Sequence, residues 1–135
     1  MTGPLVLDNE AVQALRDPRH RKHRRAIAVV EALWARGRGS RVPLVPTAVR
    51  VEAGWNRRAR ESAVINRLRV ADVLLDGEAA DRAAVLVRAL GVSVADAHLG
   101  ATLPSVPTCA VLTSDVDDVR RIAAHLDLAV TVIGL

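Results

Sequence analysis

Five short apolar segments, separated by stretches with a helical spacing of apolar residues, most constrain how this chain can fold. The strand candidates are residues 4–7, 42–46, 73–75, 110–112 and 128–133. The helix candidates between them are residues 9–16, 18–35, 48–69, 78–90, 94–103 and 116–126. Short strands that are apolar on both faces and alternate with helices are typical of a parallel sheet with helices on both sides. The sequence therefore predicts an α/β fold with a short central parallel sheet.

Residues that begin and end helices support these boundaries. Thr47 and Ser93 are predicted N-caps, and Gly37, Gly39 and Gly91 are predicted to end helices. The chain shows no linker-like stretch, internal repeat or low-complexity tract, and its 135 residues suit one folding unit. We expect a single domain over residues 1–135.

The composition excludes several classes of protein. No apolar run approaches the roughly 20 residues that span a bilayer, and the N-terminus lacks the charged and apolar regions of a signal peptide. A single cysteine, Cys109, excludes an intramolecular disulfide and a cysteine cluster for zinc. We therefore expect a cytoplasmic protein with no membrane partner.

The charge is basic and comes almost entirely from arginine. Eighteen Arg and one Lys face 15 carboxylates, for a formal net charge of +4. Arginine suits bidentate contacts with phosphate, which favours an anionic partner; a proteome rich in Arg and Ala would produce the same composition. The chain has no Phe or Tyr, which argues against modules that stack bases on aromatic side chains.

Two acids follow predicted strands and precede predicted helices. Asp8 comes directly after the first strand, and Asp115 comes just after the strand at residues 110–112. In open parallel sheets, ligands bind in the crevice beyond the carboxyl ends of the strands. Asp8 and Asp115 could therefore be neighbours in that crevice, although an Asp at such a junction is more often a helix cap.

Two further acids lie on predicted helices among small or apolar residues. Glu52 lies within the turns that we expect to pack on the sheet, and Asp96 lies in a first turn with little else polar. Burying a carboxylate is costly unless it is paired or bound to a cation, although an acid in a first turn, such as Asp96, also suits the helix dipole. Four converging carboxylates would repel one another, and Mg²⁺ or Mn²⁺ would cancel that repulsion.

Three other acids near these positions have a simpler interpretation. Glu10, Asp117 and Asp118 lie in first helical turns, where backbone N–H groups and the dipole favour negative charge. We interpret Glu10 and Asp118 as helix-start acids. Asp117 is interpreted in the same way, but it could still reach a second metal ion as an accessory ligand.

The acidic positions fall in segments that resemble a known family. These segments are Val6–Asn9, Val45–Glu52, Val94–His98 and Val111–Asp115, and in this order they resemble the signature positions of PIN-domain ribonucleases. Among these, the chain is most similar to the bacterial VapC-type toxins, over about residues 5 to 133. The resemblance implies a three-layer α/β/α sandwich in which acids at one end of the parallel sheet hold Mg²⁺ or Mn²⁺.

The resemblance also implies a role for individual residues. Asp8, Glu52, Asp96 and Asp115 match the four acids that hold the metal and carry catalysis. Thr113 and Ser114 match the small hydroxyl residues before the last acid, which would orient carboxylates or a metal-bound water, and Asn9 stands where Thr or Ser is commoner. The implied function is a metal-dependent endoribonuclease that leaves a 5′-phosphate and a 3′-hydroxyl. Such a toxin is neutralised by a cognate antitoxin protein, and we expect a homodimer.

A basic run follows the first predicted helix. It contains the candidate RNA-binding residues Arg19, Arg21, Lys22, Arg24 and Arg25. The run could guide RNA phosphates toward the acidic site, with salt-dependent affinity, or it could be the solvated first turn of a helix. His98, two residues after Asp96, would point to a different part of its helix; we interpret it as a packing or surface residue.

Two other functions remain as alternatives. A binding module with the same fold could act through protein or RNA partners without a working metal site; four intact acids favour the enzyme. A receiver-like signalling domain with an acidic pocket is disfavoured, because the only lysine, Lys22, does not end a strand.

Overall fold

The structure is a computed structural model that describes residues 3–36 and 42–135. Within these residues, five strands form one parallel sheet in the order β3-β2-β1-β4-β5. The strands are β1 (Leu5–Leu7), β2 (Leu44–Pro46), β3 (Ala71–Val73), β4 (Ala110–Thr113) and β5 (Thr131–Gly134). The predicted α/β fold with a short central parallel sheet is confirmed.

Seven α-helices in the described residues cover the two faces of this sheet. They are α1 (Asn9–Arg16), α2 (His23–Arg36), α3 (Thr47–Ala53), α4 (Ala63–Asn66), α5 (Gly77–Leu90), α6 (Val94–Thr102) and α7 (Val116–His125). Short 3₁₀ helices lie at Arg60–Ser62 and Leu103–Ser105.

Alternating side chains of the strands divide the core into two halves. Leu5 and Leu7 of β1 pack with α1, α2 and α3, whereas Val6 packs with α5, α7 and most of α6. On β4, Leu112 and Val111 divide in the same way. Successive strand residues point to opposite faces, so a strand that is apolar at every position requires a helical layer on each side.

The central strands bring distant parts of the chain to one edge of the sheet. β1 pairs with β4 in parallel, with Leu7 beside Leu112. The Asp8 N–H extends this pairing by donating to the Leu112 carbonyl at 3.2 Å. Asp8, Thr113 and Ser114 therefore lie together at the carboxyl edge, the edge of the sheet at which the parallel strands end.

Two helix boundaries were predicted wrongly. α2 begins at His23 and not near Pro18, because residues 17–22 form turns that are satisfied locally: the Asp17 side chain accepts from the Arg19 N–H at 2.9 Å. α3 ends at Ala53 and does not continue to residue 69, because Gly54 adopts a left-handed conformation with φ 68°. The predicted helix ends at Gly37 and Gly39 lie outside the described residues.

Smaller differences occur at the strands and at one cap. β3 lies at Ala71–Val73, two residues before its predicted position, and β5 begins at Thr131 and not at residue 128. Thr47 is the first residue of α3 and not its N-cap, because its hydroxyl accepts from the Leu75 N–H at 3.1 Å. Ser93 caps α6 as predicted, with its hydroxyl accepting from the Asp96 N–H.

The residues between α3 and β3 fold around one tryptophan. Trp55 is buried, and the guanidinium groups of Arg50 and Arg57 lie 5.2 and 4.4 Å from the centroid of its ring. Both arginines also bind the Asp72 carboxylate of β3, at 2.7 and 2.8 Å. This cluster fixes α3 against the edge of the sheet.

Within residues 3–36 and 42–135, no single helix combines the length and the apolar composition of a membrane span. One bent pair, Gly77–Leu90 with Val94–Ser105, meets both conditions together, by length and composition only.

The close approach of α6 to α5 and α7 provides a test of the packing. A Cβ atom on Gly100 would lie 2.6 Å from Leu86 Cδ1 and 2.8 Å from Ile122 Cγ2, both in the core. We expect Gly100→Ala to lower the free energy of unfolding by about 1–3 kcal/mol. Gly77→Ala is the matched control, because a Cβ there meets nothing within 4 Å. Urea unfolding measures both, and equal stability of the two variants would contradict this packing.

Candidate active site

Asp8 is the most deeply buried acid at the carboxyl edge, with 7% of its surface exposed. It caps α1, since its Oδ1 accepts from the Ala11 N–H at 2.8 Å, and its Oδ2 accepts from the Ser114 N–H at 3.3 Å. Burial raises the pKa of Asp8; hydrogen bonds from Thr113, Ala11 and Ser114 oppose the rise, and the charge of Glu10 adds to it. The first turn of α1 and the residue after β4 thus hold this carboxylate from two sides.

Asp115 is also a helix cap. Its Oδ1 accepts from the Asp118 N–H at 3.3 Å at the start of α7, and the residue is exposed. Its own N–H donates to the buried Thr113 hydroxyl at 2.9 Å. Asp8 and Asp115 are therefore both helix caps, the commoner role of an Asp between a strand and a helix. A cap uses one lone pair of the carboxylate, so further oxygen lone pairs of Asp8 and Asp115 stay free for a ligand.

Glu52 lies at the last turn of α3 and is exposed, so the expectation that it packs among the turns on the sheet was wrong. Its Oε1 accepts from Asn9 Nδ2 at 3.3 Å. Asn9 stands next to Asp8 on α1, and this bond therefore links α3 to α1. An exposed glutamate with a single neutral hydrogen bond keeps most of its freedom to move.

Asp96 lies in the first turn of α6 and is half-buried. Burial raises its pKa, and the charge of Glu52 is the next cause; the charges of Asp8 and Asp118 raise it further, and a hydrogen bond with Ser93 opposes the rise. The structure therefore brings Asp96 within electrostatic reach of acids from α1, α3 and α7. The charges of Glu52, Asp8 and Asp118 therefore act on Asp96, although burial has the largest effect on its pKa.

Asp118 lies in the first turn of α7, as the sequence predicts, and its charge also acts on Asp96. The pKa of Asp118 is raised, chiefly by a hydrogen bond with Asp115 and by the charge of that residue. Asp117, the predicted accessory residue, is exposed on the same turn. An N-cap and the third residue of a helix share one face, which explains the contact between Asp115 and Asp118.

The acids nearest Asp96 lack positive partners. In the described part of the chain, Asp8, Glu52 and Asp96 form no ion pair with Arg or Lys, whereas Asp118 has a 3.7 Å contact with Arg121. Among those same residues, no three Asp, Glu, His or Cys side chains stand close enough together to surround a metal ion. The oxygen donors and the uncompensated charge nevertheless suit Mg²⁺ or Mn²⁺ in chemical type.

Contacts near both ends of the basic run connect it to residues at the carboxyl edge of the sheet. Glu10, whose charge acts on Asp8, contacts His20 Nε2 at 2.9 Å and Lys22 Nζ at 3.8 Å. Arg25 donates from Nε and Nη2 to the Gly134 carbonyl, the last residue of β5, at 3.1 and 2.8 Å. The run therefore lies between the start of α1, where Glu10 and Asp8 are, and the carboxyl end of β5. Residues 19–22 precede α2, whereas His23, Arg24 and Arg25 form its first turn, so the alternative of a first helical turn holds for the second part of the run.

The other three basic candidates point into solvent. Arg19, Arg21 and Arg24 are exposed. Arg19 has only a 3.9 Å contact with Asp17, and across residues 3–36 and 42–135 Arg21 and Arg24 form no ion pair. We call residues 19–25 the basic edge.

An apolar groove lies beside Glu52. It has a volume of about 420 Å³, and Val51 and Val94 on its rim are 82% and 62% exposed. The groove is lined by Thr47, Ala48, Val51, Glu52, Leu75, Val94 and Ala95. Exposed apolar surface of this kind commonly marks an interaction site.

No protein-family model matches the chain, and no curated protein matches it in sequence. Among solved structures, the chain is similar to the crystal structure of VapBC2 from Rickettsia felis bound to a DNA fragment from their promoter, with a TM-score of 0.61. The two chains are 10% identical, and the match covers 97% of this chain and 98% of that chain. This similarity supports the PIN-like fold, and at so low an identity it bears on the fold alone.

The repulsion at Asp96 predicts how stability depends on pH. The pKa of Asp96 is higher in the folded chain than in the unfolded chain, so ionisation of Asp96 lowers the stability of the folded state. The stability that the protonated carboxyl provides is fully present below the unfolded pKa and is lost as the pH rises through the folded pKa. In EDTA, we therefore expect Asp96→Asn to be more stable than wild type at about pH 7, with the gain fading below about pH 4.

Urea unfolding across this pH range measures the effect. The Ser93 cap remains in Asp96→Asn, because the Ser93 hydroxyl accepts from the backbone N–H of residue 96. Asp81→Asn, at an exposed position on α5, should show no such dependence. A loss of stability at neutral pH in Asp96→Asn would contradict the electrostatic account.

Proposed function

We propose that this protein is a Mg²⁺- or Mn²⁺-dependent endoribonuclease that acts as a growth-inhibiting toxin and is neutralised by a protein antitoxin. The observation that carries the proposal is the group of carboxylates without Arg or Lys partners at the carboxyl edge: Asp8, Glu52 and Asp96. Within residues 3–36 and 42–135, no Arg or Lys side chain pairs with this group. Such an arrangement lowers the stability of the metal-free protein and favours the binding of a cation.

The metal site would be held by Asp8, Glu52, Asp96 and Asp115, with Asp118 as a further carboxylate of the same group. When bound, the cation would supply a water of lowered pKa and neutralise charge on the phosphodiester. The chain itself provides a fixed side of the site at Asp8, which two backbone N–H groups orient. Glu52, exposed and held by Asn9 alone, provides an adjustable side.

Thr113 and Ser114 would support the carboxylates. The Thr113 hydroxyl accepts from the Asp115 N–H and acts on Asp8 as a hydrogen-bond donor. Ser114 contributes its backbone N–H to Asp8, and its side chain is exposed beside the acids. These contacts orient the two strand-end acids relative to each other.

RNA would reach the acids along the basic edge. Arg21 and Arg24 are available to phosphates, because they are exposed and have no carboxylate partner in the described chain. Lys22 and Arg25 would contribute charge from positions that Glu10 and Gly134 fix. Positive groups beside an acidic site hold the phosphate backbone while the acids and their cation act on one phosphodiester.

The partners are part of the proposal. The solved neighbour is a VapBC2 complex bound to promoter DNA, which supports an antitoxin as the partner of this chain. The apolar groove beside Glu52 would suit an apolar segment of such a partner. The homodimer and the cytoplasmic location remain predictions.

Cleavage in the presence and absence of metal tests the activity. We expect the purified chain, free of antitoxin, to cut a total RNA pool with Mg²⁺ and to be inactive with EDTA. Asp96→Asn should lose about 100-fold or more of the rate, because it removes a charged oxygen donor. Asp81→Asn, which keeps the site intact, should cut as wild type does. Cleavage in EDTA, or full activity of Asp96→Asn, would contradict the mechanism, and an inert wild-type protein would favour the binding module.

Salt dependence of RNA binding tests the basic edge. We expect the double substitution Arg21→Ala and Arg24→Ala to weaken binding to single-stranded RNA on the order of tenfold, and to reduce the slope of log K against log salt by about 1.4. Arg82→Ala with Arg88→Ala, on α5 in the opposite helical layer, is the matched control. An equal loss in both double variants would indicate a general charge effect and not a binding edge.

A further inference from the structure

His98 is a fully buried histidine in the middle of α6, and it faces the start of α3. Its Nδ1 accepts from the Ala48 N–H at 3.2 Å. The ring is therefore neutral with its proton on Nε2, in agreement with burial, which lowers the pKa of His98. Nε2 has no hydrogen-bond partner in the described residues, although the nearby Leu74 carbonyl favours the protonated ring.

The hydrogen bond to Ala48 compensates for a missing cap. The first N–H groups of a helix lack partners within the helix, and a side chain at the N-cap usually supplies one. The N-cap of α3 is Pro46, which forms no such bond, and the Thr47 hydroxyl is engaged by the Leu75 N–H. The ring of His98, 50 residues away in sequence, supplies the acceptor.

This cap joins the two helices that carry the facing acids of the site. Glu52 lies four residues after Ala48 on α3, one helical turn along, and Asp96 lies on α6 two residues before His98. The charge of Glu52 is the largest charge effect on Asp96, so the separation of the two helices sets the separation of their carboxylates. α3 has only seven residues, and so short a helix depends on contacts from outside itself.

We propose that His98 is a positioning residue, whose ring caps α3 from α6 and thereby holds Glu52 opposite Asp96. The inference rests on the proposed function insofar as the acids bind a metal ion. It assigns His98 a role through Glu52 and none in contact with metal or RNA.

Two substitutions separate the cap from the packing of the ring. His98→Asn keeps an acceptor, its Oδ1, near the place of Nδ1 but leaves space in the core. His98→Leu fills the space but has no acceptor. Titration of Mn²⁺ into each full-length protein measures the effect on the acids. We expect His98→Leu to bind Mn²⁺ about tenfold more weakly than wild type, and the affinity of His98→Asn to stay within about threefold of wild type. Loss of a residue that orients a metal ligand typically lowers metal affinity by about 10–100-fold.

A double-substitution cycle with Glu52→Gln identifies the route of the effect. If His98 acts through Glu52, His98→Leu weakens Mn²⁺ binding in wild type and costs little more in the Glu52→Gln background. Thr102→Val is the control for stability alone, because it removes a buried hydrogen bond to the His98 carbonyl within α6; it should leave Mn²⁺ affinity unchanged. Equal affinities of His98→Leu and wild type, or an undiminished cost in the Glu52→Gln background, would overturn the inference.

Amide hydrogen exchange keeps the two proposals distinguishable. Metal-free His98→Leu should exchange faster than wild type from Ala48 through Ala53, whereas His98→Asn should not. If wild type neither binds Mn²⁺ nor cuts RNA, the proposed function fails, and this exchange pattern alone decides the role of His98. Equal exchange over α3 in the three proteins would overturn that role, whatever the activity.

Discussion

Repulsion among carboxylates at the carboxyl edge of the sheet is the constraint on which the rest of the site depends. At Asp96, burial is the largest cause of the raised pKa, and the charges of Glu52, Asp8 and Asp118 raise it further. Such repulsion lowers the free energy of unfolding, so packing elsewhere in the fold must offset it. Here the two halves of the core on either face of the sheet supply that packing. The proximity of these acids lowers the stability of the folded state, and the cation that we propose would offset that cost.

In the part of the chain that the structure describes, backbone N–H groups, and not positive side chains, hold the strand-end acids in place. Asp8 accepts from Ala11 and Ser114, and Asp115 accepts from Asp118. Such contacts orient a carboxylate without cancelling its charge. Two cations of the basic edge are engaged elsewhere, Lys22 by Glu10 and Arg25 by the Gly134 carbonyl. The edge thus presents negative and positive regions side by side, an arrangement suited to a metal ion and a phosphate backbone.

Local patterns were sufficient to predict much of the fold and part of the site. Short strands that are apolar on both faces indicated the sheet, and the ends of β1 and β4 indicated that Asp8 and Asp115 share an edge. The left-handed turn at Gly54 was missed because nothing nearby distinguishes it from a glycine within a helix. The capping of α3 by His98 depends on a contact between residues 50 apart, and a local pattern cannot reveal such a contact. The exposure of Glu52 follows from the same early end of α3.

The most direct test of the account is the free energy of unfolding measured in urea with EDTA and with Mg²⁺, for wild type and Asp96→Asn at neutral pH. A cation that binds only the folded site stabilises it by about 2.7 kcal/mol at 100 times its Kd. The account predicts that Mg²⁺ raises the stability of wild type, and that Asp96→Asn gains little from Mg²⁺. An unchanged stability of wild type with Mg²⁺, or an equal gain in both proteins, would contradict it.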